Sequence, residues 1–173
     1  MGADLSRPPY TQQAVLSDGG AYDNLGLETI FKRYTTVLAS DAGQKIAPEQ
    51  NPADDWARHS VRILDIVDNQ VRSLRKRELI ESYLRGDHTG CYWGIRTNYS
   101  DYKLVEDPLQ CAIRNPTYLA GIPTRLQALG RDEQERLVNW GYAICDAALR
   151  AHVDPAKLGI SFVSPRFPYP QGY

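Results

Sequence analysis

The hydrophobic positions of this chain change period several times, and each change marks an element. Ala14 to Leu16 is a short apolar run bounded by turn residues, which predicts a strand. Leu25 to Phe31 predicts a brief helix. Thr35, Thr36 and Val37 open a β-branched run that closes at Asp41-Ala42-Gly43, a second strand ending in a carboxylate and a glycine. Pro48 and Pro52 exclude regular structure in the loop that follows. From Trp56 to Arg85 the spacing is helical. Leu64, Val67, Val71 and Leu74 recur on one face, Ile63 and Ile66 widen the stripe, and Ile80 and Leu84 resume it after a one-residue shift. Asp54 or Asp55 caps the start and Gly86 ends it.

Gly90 to Thr97 is aromatic and β-branched and predicts a third strand. Residues 98–123 read as loop with short helices. Leu126 and Leu129 form a short turn that Gly130 breaks. A longer helix follows, with Leu137, Trp140, Ile144, Ala147 and Ala148 as its apolar face. Residues 1–13 form an irregular lead-in, and residues 164–173 a Pro-spaced aromatic tail that is extended over the surface or disordered. The order is strand, strand, long helix, strand, long helix. It is an α/β pattern in one domain, with no repeat and no linker.

Composition narrows the function classes. The 173 residues suffice for one domain and one sizeable core, and 42 % apolar with 24 % charged residues is the globular range. A net charge of -1 argues against an obligate nucleic-acid binder. Cys91, Cys111 and Cys145 are far apart and form no CxxC, which fits neither a disulfide framework nor a zinc site. They read as reduced thiols of the cytoplasm. No apolar run reaches the length of a membrane span. "MGADLS" fits the Gly2 myristoylation pattern, but six residues are too short to carry that assignment.

The candidate chemistry lies in "AVLSDGGAYDNLGLE". Asp18-Gly19-Gly20 is a common turn sequence, because glycine tolerates positive φ. A calcium loop starting at Asp18 fails its register, since Gly20, Tyr22 and Thr29 occupy the third, fifth and twelfth positions. His59, His88 and His152 are scattered, and His59 and His88 read as surface residues. Arg58, Arg62, Arg72, Arg75, Lys76 and Arg77 read as a solvated helix face; a peripheral membrane role through that face or the aromatic tail is a rival reading.

The run from Asp18 through Tyr22-Asp23-Asn24-Leu25-Gly26-Leu27-Glu28 resembles the second active-site motif of bacterial patatin-like phospholipases. "VLASDAG", "QVRSLRKRELI", "YWGI" and "NWGYAICDAAL" are also similar to the C-terminal half of such proteins, so that Ala14 to His152 falls under the resemblance. The resemblance implies a three-layer α/β/α fold and a Ser-Asp dyad that uses no metal or cofactor. Asp18 would be the proton acceptor, on a turn made by Gly19 and Gly20, acting on a lipid or other carboxylic ester. This chain departs from the pattern: it has no Gly-x-Ser-x-Gly, and only 17 residues precede Asp18. Gly159-Ile160-Ser161-Phe162-Val163 lacks the second glycine and reads as a strand after a helix, the reverse of a nucleophile elbow. The expectation is therefore the C-terminal half of a patatin-like hydrolase, inactive by itself, packing against the other half or self-associating. The alternative is a non-catalytic dimerisation or partner-binding module derived from that fold.

Overall fold

Two parallel strands organise the chain. β1 (Thr36–Asp41) pairs with β2 (Thr89–Gly94) in a register that runs from Thr36↔Thr89 to Asp41↔Gly94. A parallel pair needs a long crossover, and the 30-residue helix Trp56–Arg85 supplies it. The computed structural model describes residues 4–13, 15, 16, 18, 20–113, 116–124 and 127–170. In chain order the helices are α1 (Gly20–Asp23), α2 (Leu27–Phe31), α3 (the crossover), α4 (Thr117–Ala120), α5 (Arg131–His152) and α6 (Pro155–Leu158), with a 3-10 turn at Tyr99–Tyr102.

Strand alternation decides which helix each sheet face meets. Val37, Ala39 and Tyr92 pack with Leu27 of α2 and with Leu79 and Tyr83 of α3. Cys91 and Trp93 alternate with Tyr92 and meet Ala148, Leu149 and Val153 at the end of α5. Helices therefore lie on both faces of a small parallel sheet, which makes the fold α/β. Gly90 is dictated by strand proximity: its φ is 135°, and a Cβ there would fall 1.8 Å from the Val37 carbonyl oxygen.

The largest core surrounds α5. Trp140, Ala143, Ile144 and Ala147 pack with Tyr99, Leu109, Cys111 and Leu119. The Trp140 indole N–H donates to the Ile95 carbonyl at 3.0 Å, which ties α5 to the end of β2. The face expected of this helix is the face it buries, with Leu137 packed at the margin. Of the tail, residues 164–170 are described, and they lie against α5. Buried Asn139 donates to the Tyr169 carbonyl at 2.7 Å and accepts from its N–H at 3.0 Å, while Phe167 packs against the α5 core.

Other expectations need correction. Val15 and Leu16 form no strand and are 89 % and 88 % exposed, since among the described residues no neighbouring strand offers them a ladder; Ala14 lies outside the described residues. The third strand ends at Gly94, because the Thr97 N–H donates back to the Gly94 carbonyl and makes 94–97 a turn. Residues 159–163 form no strand; Gly159 ends α6 at φ 65° and the chain then runs irregularly along α5. Leu126 and Gly2 lie outside the described residues, and Gly130 stands at the N-cap of α5, before the longer helix expected there.

The long helix has the expected ends and an unexpected surface. The Asp55 carboxylate accepts from the Arg58 N–H at 2.9 Å, and Gly86 closes the helix at φ 78°. Yet Leu79 and Ser82 alone are buried along it, while Leu64, Val67, Val71, Leu74 and Leu84 are exposed. Length explains this. Thirty residues of helix extend ~45 Å, whereas six residues of strand extend ~20 Å, so the sheet covers only the C-terminal turns.

Candidate functional site

The Asp18 motif builds two consecutive helix starts from local signals. The Asp18 carboxylate accepts from the Gly20 N–H at 2.8 Å, and its carbonyl from the Ala21 N–H at 3.1 Å. Asp18 thereby makes an Asx-type turn at the start of α1, itself a single helical turn. Asp23 repeats the device: its Oδ2 accepts from the Glu28 N–H at 2.8 Å across Gly26, whose φ of 64° sets the corner into α2. A Cβ on Gly20 would lie 3.0 Å from Asn24 Oδ1 and 3.1 Å from Asp18 Oδ1, so the glycine keeps the turn uncrowded. Gly19 lies outside the described residues. Asp18 is exposed, and Leu27, 3 % exposed, anchors the segment on the sheet.

The motif faces the exposed stripe of α3. Residues Gly20 to Leu25 and Leu64, Val67 and Val71 border an apolar groove of about 310 Å³. Asp23 Oδ1, also at this corner, is buried and has no hydrogen-bond partner among the described residues. Ser161 is elsewhere, exposed on the irregular segment after α6, with no hydrogen bond joining it to Asp18 or to a histidine among the described residues. His59 is exposed. His88 is not the surface residue expected: half-buried, its ring lies tilted against Phe31 with the centroids 4.4 Å apart, and its Nε2 donates to the Phe31 carbonyl at 3.1 Å. His152 lies edge-on to Tyr102.

A second cleft, of about 430 Å³, opens at the carboxyl ends of β1 and β2, where open parallel sheets characteristically bind ligands. Asp41, the last residue of β1, is fully engaged: Tyr92 Oη donates to Oδ2 at 2.7 Å and the Gly43 N–H to Oδ1 at 2.8 Å. That contact and burial push the Tyr92 hydroxyl well above the ordinary phenol range, burial being the larger cause. Lys45, Arg72, Lys76 and Arg96 border the same cleft. Arg72 donates to the Gln44 carbonyl and Arg96 to that of Ala120, while the Lys76 ammonium lies 4.7 Å from the centre of the Tyr92 ring. The carboxylate and glycine closing the second strand are a trace of this site in the sequence, where they read only as a strand end. The role of Arg72 and Lys76 was hidden, because a helical run of basic residues reads as a solvated face.

Among the described residues no group of three His, Cys, Asp or Glu could hold a metal ion, and no helix is long and apolar enough to cross a membrane. No family model, no curated protein and no solved structure matches this chain.

Proposed function

We propose that this chain is the Asp-bearing part of a patatin-like serine acyl hydrolase acting on lipid or other carboxylic esters. The observation that carries the reading is Asp18: an exposed carboxylate that accepts the Gly20 N–H at the start of α1, in the stretch whose ten matched residues resemble the family's Asp motif. In a Ser-Asp dyad this carboxylate takes the hydroxyl proton during attack on the ester carbonyl and returns it to the leaving alcohol. The adjoining apolar groove fits an acyl chain. The crossover helix and the small parallel sheet are compatible with part of a three-layer α/β/α fold. On this reading the protein works in the cytoplasm or at a membrane surface, without metal or cofactor.

The nucleophile is not among these 173 residues in a Gly-x-Ser-x-Gly setting. The chain alone should therefore neither hydrolyse a p-nitrophenyl ester nor react with a fluorophosphonate probe. Stoichiometric labelling, at Ser161 or any other serine, would overturn that part of the assignment.

A second reading has an observation of its own. The exposed stripe of α3 suits a non-catalytic module that dimerises or packs on a partner segment. Ester hydrolysis that depends on Asp18 in a reconstituted complex separates the two.

A further inference from the structure

We infer that the cleft at the carboxyl ends of β1 and β2 is a binding site for a phosphate group, a site distinct from the Asp18 motif. Three elements deliver its cations. Lys45 comes from the loop after β1, Arg72 and Lys76 lie one turn apart on α3, and Arg96 follows β2. Ion pairing elsewhere in the chain is extensive: Arg58 pairs with Asp55, Arg62 with Glu49, Arg85 with Asp87 and Arg150 with Asp146. Among the described residues none of the four cleft cations is paired with a carboxylate. The two acids bordering the cleft, Asp41 and Asp101, offset only part of this charge, and four cations against two carboxylates leave it net positive.

The cleft is also partly preorganised. Arg72, half-buried, is held to the Gln44 carbonyl, and Arg96 to the Ala120 carbonyl. Each guanidinium keeps further N–H donors for an oxyanion. A group with several acceptor oxygens and up to two charges matches four cations lining one cleft better than a carboxylate does. About 430 Å³ exceeds what an inorganic ion fills and lies in the range of small-molecule sites. Asn69, Ser73 and Thr97 on the walls suit a polar body attached to the phosphate. Such a group comes either from a soluble phosphate ester or from a lipid headgroup.

The test is a titration of the full chain with inorganic phosphate and with glycerol 3-phosphate, followed by amide chemical shifts. Saturable shifts of Gly43, Gly94 and Thr97 are expected. The Arg72→Gln/Lys76→Gln variant should weaken binding by about tenfold or more, and Lys157→Gln, outside the cleft, should leave it unchanged. Because Arg72 also holds a loop, Lys45→Gln/Lys76→Gln serves as a second variant that spares that contact, and it should weaken binding in the same direction. Absence of saturable shifts, or equal loss in Lys157→Gln, overturns the proposal. Flotation with phosphatidylcholine vesicles, with and without phosphatidic acid, distinguishes the two sources. Binding that needs phosphatidic acid and is displaced by inorganic phosphate indicates a headgroup. Phosphate binding without vesicle binding indicates a soluble ester. Vesicle binding that phosphate does not displace overturns the proposal, because it points to the apolar face of α3. Asp18→Asn should bind phosphate normally, so this test can fail without touching the hydrolase reading, and the reverse.

Discussion

Single residues in this chain are fixed by close contact, and those contacts set measurable properties. Gly90 sits where any side chain meets the Val37 carbonyl, so Gly90→Ala should destabilise the fold by several kcal/mol, about 3 or more. A urea midpoint close to that of the parent chain would contradict the stated pairing of β1 and β2. Cys91 is 1 % exposed, and burial pushes its thiol up to about 12 from an ordinary value of 9.0. It should resist iodoacetamide at pH 8 until the chain unfolds, which mass spectrometry of the alkylated protein would reveal. The folded chain therefore holds this proton more tightly than the unfolded chain. The stability tied to it is intact below pH 9 and is lost as pH rises toward about 12, at up to about 1.4 kcal/mol per pH unit. Tyr102, pushed up to about 12 mainly by burial, adds to the loss above its ordinary value of 10.0. Denaturant unfolding at pH 8 and pH 10.5 should show the fall; equal midpoints would mean that Cys91 is not sealed.

At the scale of elements, α3 separates what sequence reveals from what it conceals. Its ends are local chemistry, an Asp55 cap and a left-handed Gly86; the sequence locates Gly86 to the residue and narrows the cap to Asp54 or Asp55. Its burial is a matter of what lies opposite, and no periodicity carries that information. The stripe through Leu64, Val67, Val71 and Leu74 has the spacing of a core face but is exposed, while Leu79 makes the sheet contact. Leu79→Ala should cost about 2–5 kcal/mol, and Leu74→Ala within about 0.5 kcal/mol. Thermal denaturation of the two variants measures the contrast, and similar losses would mean that the stripe is packed after all. On α5 periodicity and partner agree for Trp140, Ile144, Ala147 and Ala148, while Leu137 is only partly buried and the burial of Asn139 and Ala143 was not read from the pattern. Val15 and Leu16 failed as a strand for the same reason the stripe of α3 is bare: both need a neighbouring surface. The candidate site divides likewise. The Asp18 turn was legible because its hydrogen bonds run within a few residues. The cationic cleft was not, because it unites a loop, a helix and a strand end.

For the whole molecule, the uneven burial has one consequence. The α5 half encloses a core of aromatic and small side chains, whereas the α3 half presents Val61, Leu64, Val67 and Leu74 to solvent. Surfaces of that kind associate, and on the proposed reading their counterpart carries the nucleophile. The sedimentation coefficient should then rise with concentration, and Val67→Asp/Leu74→Asp should suppress the rise; a chain that stays monomeric at hundreds of micromolar would oppose this. The most direct measurement concerns Asp18 itself. This chain is combined with a segment carrying a Gly-x-Ser-x-Gly elbow, and turnover of a short p-nitrophenyl ester is compared for the parent and for Asp18→Asn. If Asp18 is the proton acceptor, turnover should fall by about a hundredfold or more while the two segments remain associated. Turnover unchanged by Asp18→Asn would contradict the assignment.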